Sequence, residues 1–345
     1  MTMNKIQLND TSPRRISRKT GEVKEFHLFA GIGGGIYGGE LLGHKCVGAV
    51  EINQYCLSVL QQRQKDGWMN KFDIFEDIRQ INGTQFKGTF DVLCGGFPCQ
   101  AFSHAARGKN ISEKNLWPEM FRFSKESEAP IVFGENVTRE AIEAAVKDLQ
   151  SIGYEVKYCR LSCEELGADH SRVRYWFLAV NNKQTLDKIV KRLSTRPKLK
   201  ATCWQENPNN IEYPTWVEFR APQFLGVGNA QSPFAAAAAF RILVNRHLSQ
   251  MKNKVHASKE EVEAVFDIQT TWIKEEYGKD FFVHTPTTMY NFHYPSMQKH
   301  PVCRNFVRVF GRAYPLNFEY LMGFPIGASS PNPLTKDNYE KWISQ

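Results

Sequence analysis

The stretch "FHLFAGIGGG" (Phe26–Gly35), read with "CVGAVE" (Cys46–Glu51) after it, decides the fold. Both open as short apolar runs of the kind that form buried strands. The first ends in a glycine-rich turn ahead of a presumptive helix. Glycines let the backbone approach a ligand closely, and a helix start offers unpaired amides. The second run ends in Glu51, twenty residues beyond Gly31. An α/β nucleotide-binding fold places a carboxylate there for ribose hydroxyls. The plainer reading is a tight turn and a solvated acid.

The same alternation continues along the chain. "FDVLCGG" (Phe90–Gly96), "IVFGEN" (Ile131–Asn136) and "RYWFLAV" (Arg174–Val180) read as further buried strands, and "NQYCLSVLQQRQ" and "TREAIEAAVKDLQSIG" read as helices between them. Strand and helix in turn predict an α/β domain with a mostly parallel sheet. Ligands of such sheets bind at the carboxyl ends of the strands, where the polar motifs of this chain fall. Asp77, in "FEDIRQI", is placed to end a third strand and accept from an adenine amino group. No Lys-Ser or Lys-Thr follows the glycines, so the loop is not a P-loop, and the full G-x-G-x-x-G spacing is missing. This favours a non-dinucleotide adenosine cofactor, with S-adenosylmethionine the natural candidate.

Beyond Val180 the pattern weakens. "NNKQTLDKIVKRLSTRPKLKATCWQENPNN" (Asn181–Asn210) reads as a basic, polar connector. "QSPFAAAAAFRILVNRHLSQM" and "SKEEVEAVFDIQTTWIKEEYG" each read as one helix, the second with a serine start and a glycine stop. Of the 345 residues 42% are apolar and 23% charged, ordinary globular values, and the formal charge of +8 hints at a polyanionic partner. No apolar run is long enough to span a membrane, and the first residues lack the apolar centre of a signal peptide. The eight cysteines contain no C-x-x-C pair, so no metal site is expected, and reduced thiols in the cytoplasm are.

In "GGFPCQAFS" (Gly95–Ser103), Cys99 follows a proline at the end of a strand. A thiolate is the nucleophilic form, Pro98 fixes the backbone ahead of it, and Gly95 and Gly96 leave room for a substrate. The bland alternative is a structural cysteine, which is the reading given to Cys94. "FGENV" puts Glu135 and Asn136 at another strand end, where a buried carboxyl would serve as a proton donor; Thr138 is placed to cap the next helix. "HSRVR" sets Arg172 and Arg174 on one face of a strand, aimed at one site or standing at a basic edge.

These pieces, in this order, resemble the DNA (cytosine-5) methyltransferase family of phage and bacteria. "FAGIGGG" looks like its cofactor loop, "GGFPCQAFS" its catalytic segment, and "ENV" its glutamate motif. "HSRVR" looks like its Gln-x-Arg-x-Arg motif with His170 for the glutamine, and "GVGNAQSP" (Gly226–Pro233) like its Gly-Asn motif. The resemblance implies a Rossmann-like S-adenosylmethionine-dependent methyltransferase domain. Cys99 would attack C6 of a flipped-out cytosine, Glu135 would hold N3 and the amino group, and Arg174 would contact the carbonyl oxygen with Arg172 in support. It places Phe29, Gly31, Ile32, Gly33, Gly34, Glu51, Ile52, Asp77, Ile78, Pro98, Leu116 and Asn229 around the cofactor. Gln100, Ser103, Arg107, Lys109 and Asn136 would meet the DNA.

The expected organisation is a polar lead-in over 1–22, a catalytic and cofactor-binding domain over 23–248, and a smaller, irregular target-recognition domain over 249–345. That last placement departs from the family's usual order, in which target recognition precedes the Gly-Asn motif. Double-stranded DNA is the expected partner of a monomer, with a cognate restriction endonuclease possible in principle. An RNA-directed relative of the same fold and a non-catalytic DNA-binding relative stand as alternatives.

Overall fold

The computed structural model describes residues 21–98, 115–210, 220–249, 254–288 and 291–344. The first half of the chain alternates strand and helix: β1 (Lys24–Leu28), α1 (Gly34–Leu41), β2 (Lys45–Val50), α2 (Gln54–Lys65), β3 (Asp73–Phe75), β4 (Val92–Gly96), α3 (Trp117–Glu126), β5 (Ile131–Asn136), α4 (Arg139–Ser151), β6 (Glu155–Ser162) and β7 (Val173–Val180). The rest is helical: α5 (Lys183–Ser194), α6 (Arg220–Asn229), α7 (Pro233–Leu248), α8 (Lys259–Val265), α9 (Trp272–Tyr277), α10 (Pro301–Phe310), α11 (Pro315–Met322) and α12 (Asp337–Ile343).

The seven strands form one sheet in the order β3-β2-β1-β4-β5-β7-β6. Pairing is parallel from β3 to β5, and β7 enters antiparallel between β5 and β6. The expected α/β class and mostly parallel sheet are therefore present. The order reverses between β1 and β4, the point at which sheets of this kind bind ligands beyond the carboxyl ends of their strands. Strand β6 was not anticipated. It is the edge strand and mixes polar with apolar residues, which hides it from an apolar-run reading.

Alternate residues of each strand feed two cores. In β7, Trp176 and Leu178 join a cluster that includes Tyr37, Phe133, Phe234 and Phe240, while Phe177 and Ala179 join Phe26, Leu93, Met120, Phe123 and Leu149 on the other face. Helix α7 is buried almost all round, which suits a central helix rather than an amphipathic one. Its alanines let α1 come close: a side chain at Gly38 would meet Ala236 Cβ at 3.0 Å.

Two segments differ from expectation. The connector after Val180 contains α5, held down by buried Leu186 and Ile189 and capped by Asn182. The single helix expected over Ser258–Gly278 is two short ones. Ser258 does cap the first through a capping box and Gly278 does end the second. Between them Phe266 pairs with Leu199, and the Asp267 amide donates to the Leu199 carbonyl at 2.7 Å. A contact 67 residues away thus pulls the chain out of helix, beyond the reach of local propensity.

The C-terminal residues return to the first helices. Trp342 packs edge-on to Tyr37 with ring centroids 5.5 Å apart and donates to the Gly323 carbonyl at 3.0 Å. Tyr55 donates to the Ser329 carbonyl at 2.6 Å, and Trp68 to that of Thr335 at 2.7 Å. The buried Arg63 pairs with Asp66 at 2.8 Å and donates to the Asn332 carbonyl. One apolar cluster therefore extends from Val23 to Trp342, so the expected division at residue 248 does not fall at a break in the core.

A polar knot lies inside the same layer. Glu25 accepts from His27 at 2.9 Å and from His44 at 2.6 Å, tying β1 to the turn before β2. Burial alone would raise the Glu25 carboxyl, but the attraction of His44 and the bonds from both imidazoles hold it at about 2. Among the described residues no helix is long and apolar enough to cross a membrane.

Two outcomes follow from this packing. Trp342→Ala removes a buried indole from the shared core and should cost about 3–5 kcal/mol in urea unfolding, within a single transition. Glu25 has a depressed folded value, so its contribution is present above about pH 4.5 and lost as pH falls toward about 2. Acid titration by circular dichroism should therefore show a steeper loss of stability for the natural protein than for Glu25→Gln, whose stability at neutral pH should be lower by roughly 3 kcal/mol.

Candidate active site

Three adjacent strands end in the predicted cofactor residues. After β1, Phe29 and Gly31 take left-handed backbone angles, both with φ 55°, and Gly33 caps α1 with φ 92°. The Gly33 amide closes this turn on the Ala30 carbonyl at 2.9 Å. After β2, Glu51 accepts from the Gly31 amide at 2.7 Å and from the Asn53 amide at 2.7 Å. Burial pushes its carboxyl up, and those amides oppose the shift. Glu51 therefore braces the glycine loop from the neighbouring strand. Next to it, Ile52 is 58% exposed, an apolar side chain left at the rim.

Asp77 lies two residues past β3 rather than ending it, and it is held low by its bonds to Arg79, which also fix its turn. Ile32 and Ile78 are buried, so only their backbones can face a ligand. Leu116 donates its amide to the Pro98 carbonyl at 3.1 Å, joining the end of the β4 segment to the start of α3. A cleft of about 510 Å³ opens beside this rim, between Asn53 and Tyr55 of the α2 start, Pro222 and Leu225 of α6, and Thr288.

Glu135 sits on β5 in register with Gly96 of β4 and is 8% exposed. Arg174 Nε lies 3.0 Å from Glu135 Oε1, yet that oxygen receives no well-directed hydrogen bond among the described residues. Oε2 accepts from Gln231 Nε2 at 3.3 Å. Gln231 was not singled out from the sequence; its only signal was a place inside "GVGNAQSP".

Arg172 and Arg174 share a face as expected but do different things. Burial and the nearby Arg174 lower Arg172. Its terminal nitrogens donate to the Pro286 carbonyl at 2.7 Å and to those of Gly228 and Ala230 at 2.9 Å each. Those last two flank Asn229, so Arg172 fixes the backbone around a predicted cofactor residue instead of facing Glu135. Asn136, expected to meet the DNA, is tied within the protein. It is buried, donating to the Phe97 carbonyl at 2.9 Å and accepting from the Thr138 amide, which orders the chain entering the Cys99 segment. Thr138 caps α4 as read.

His170 is wholly buried with no hydrogen-bond partner among the described residues, and burial with the cations around it lowers its imidazole to about 3, so it stands neutral beside the arginines. Cys94 is buried as expected, and burial pushes its thiol well above the ordinary value. It lies with Glu25 and His27 in the one group of described residues whose possible metal-ligating atoms fall within 4.8 Å of one another. The Glu25 oxygens there are already taken by the two histidines. Cys99, Gln100, Ser103, Arg107 and Lys109 lie outside the described residues.

The arrangement is a glycine turn braced by Glu51 at the ends of β1 and β2, with the buried pair of Glu135 and Arg174 on β5 and β7. The chain is similar to the Type II methyltransferase M.MspI of Moraxella sp, 28% identical over 174 residues that make 47% of this chain and 40% of the relative. It is also similar to the Type II methyltransferase M.CviJI of Paramecium bursaria Chlorella virus IL3A, 29% identical over 174 residues, 48% of this chain and 46% of the relative. The match thus spans less than half the length of these curated relatives. The solved S. pombe Dnmt2 methyltransferase overlays with 16% identity and a TM-score of 0.44, covering 93% of each chain. The profile of C-5 cytosine-specific DNA methylases matches residues 23–291. The chain belongs to the C-5 cytosine-specific DNA methylase family.

Proposed function

We propose that this protein methylates carbon 5 of cytosine within a specific duplex DNA sequence, with S-adenosylmethionine as methyl donor. The observation that carries the reading is Glu135: a buried carboxyl with one oxygen anchored and the other, among the described residues, without a directed hydrogen bond beside Arg174. Buried polar atoms are rarely left so, and a cytosine edge, whose amino group donates and whose N3 accepts a proton from the carboxyl, would satisfy it.

The rim fits the proposed donor. Gly31 is half-buried in the turn ahead of α1, Glu51 braces that turn, and Ile52 offers an apolar face to a base. When bound there, S-adenosylmethionine supplies an electrophilic methyl group. The protein's own residues do the rest. The Cys99 thiolate adds to C6 of the extruded base, and the ring electrons move toward N3 and C5. Glu135 holds N3 and provides the proton that neutralises it, while the Arg174 cation steadies the carbonyl side. After methylation a base removes the C5 proton, the C6–sulfur bond breaks, and the thiolate returns.

Target reading would fall to the exposed face of the C-terminal region, 249–345, whose apolar side chains join the main core. There α10 turns Arg304 and Arg308 to the surface, where they suit phosphates or base edges. Type II relatives add a cognate restriction endonuclease to the expected partners.

Incubation with duplex DNA and labelled S-adenosylmethionine, followed by bisulfite sequencing, tests the reading and yields the target. Cys99→Ser should abolish methylation with cofactor binding nearly unchanged, and Glu135→Gln should lower kcat by about 10²- to 10⁴-fold. Normal methylation by Cys99→Ser would overturn the mechanism.

A further inference from the structure

We infer that Gln231 is a positioning residue of this site, locking one oxygen of Glu135 and tying it to the glycine loop; the inference rests on the methyltransfer reading above. Its backbone is held from both sides. The Ala230 carbonyl accepts from Arg172 at 2.9 Å, and Ser232 caps α7 through the Ala235 amide. Between these anchors the Gln231 side chain lies against Gly35 and Gly96, while Gly34 leaves room for its backbone carbonyl.

The close approaches define that packing. A Cβ at Gly34 would lie 2.2 Å from the Gln231 carbonyl oxygen, one at Gly35 would lie 2.7 Å from Oε1, and one at Gly96 would lie 2.8 Å from Nε2. The Gly96 Cβ would also meet Glu135 Oε2 at 2.8 Å. Gly34 has no room for a side chain beside the Gln231 backbone, and a side chain at Gly35 or Gly96 would displace the Gln231 amide from its place. Glycines from two loops far apart in sequence therefore admit the same side chain, and its amide spans from the adenosine-type loop to the buried carboxyl.

The two oxygens of Glu135 become inequivalent as a result. Oε2 is fixed by a neutral donor, which orients the carboxyl without adding charge. Oε1 is left facing Arg174 with an open position for a substrate donor. A side chain that merely filled the space would not need an amide there. An apolar group of similar volume would leave Oε2 buried and unpaired, a costly arrangement that reorientation of the carboxyl would relieve. The open oxygen would then no longer be held where the base must meet it.

The test compares Gln231→Leu and Gln231→Glu with the natural protein in single-turnover methylation of duplex DNA, alongside binding of S-adenosylmethionine and DNA. Gln231→Leu should slow methyl transfer about 10- to 100-fold while both dissociation constants stay within about twofold. Gln231→Glu keeps the shape of the side chain. Ionised, it sets a like charge against Glu135; protonated, it restores the donor. Its rate relative to the natural protein should therefore rise as pH falls from about 8 to about 5, whereas the relative rate of Gln231→Leu should stay flat. A Gln231→Leu rate within about twofold of natural, or a Gln231→Glu ratio that does not move with pH, overturns the inference. Should Gln231→Leu fail to fold, the isosteric glutamate variant decides alone. A natural protein that methylates no DNA sinks the proposed function instead, so the two failures are told apart.

Discussion

The site depends on one constraint: β1 and β4 are parallel neighbours whose connections leave in opposite directions. Nothing in the sheet covers the gap beyond their carboxyl ends, so the loops after both strands must meet there. The glycine turn after β1 and the segment leading to Cys99 after β4 are those loops. The next strands outward, β2 and β5, then deliver Glu51 and Glu135 to opposite sides of the same gap. Two acids 84 residues apart in sequence thus come to flank one crevice without any contact between their own segments.

The acids differ in their surroundings. Glu51 accepts one backbone amide on each oxygen, which braces the loop and leaves acceptor capacity on both. Glu135 has one oxygen held by a side-chain amide and the other, among the described residues, without a directed hydrogen bond beside a guanidinium. The first is oriented by backbone alone, the second by side chains. Burial is similar for both, so the distinction comes from partners and not from depth.

Most of this layout was legible because it is written in short-range patterns. Five apolar runs with polar or glycine ends marked strands, and the motifs fell at their carboxyl ends, where parallel sheets place ligands. What escaped was set by long-range contacts. Strand β6 carries half its residues toward solvent. Helix α5 keeps only Leu186 and Ile189 inside, too few to stand out from its lysines. The break between α8 and α9 answers to Leu199, and Gln231 has a role only because glycines elsewhere make room for it. The aromatic C-terminal tail suggested a reading surface, whereas Trp342 and its neighbours complete the core around Tyr37. In each case the local residues were compatible with two answers, and a distant partner chose.

The guanidinium of Arg172 has a consequence for motion. It grips carbonyls on both sides of Asn229 and a third at Pro286, and all three bonds lie out of water. A planar fork that satisfies three fixed acceptors has no second pose that does so. Pulling the Pro286 segment away would leave a cation or a carbonyl unpaired in an apolar setting, and the same holds for the end of α6 at Asn229. The two segments are thereby geared together: they shift as one body, or the clamp opens and both are released at once.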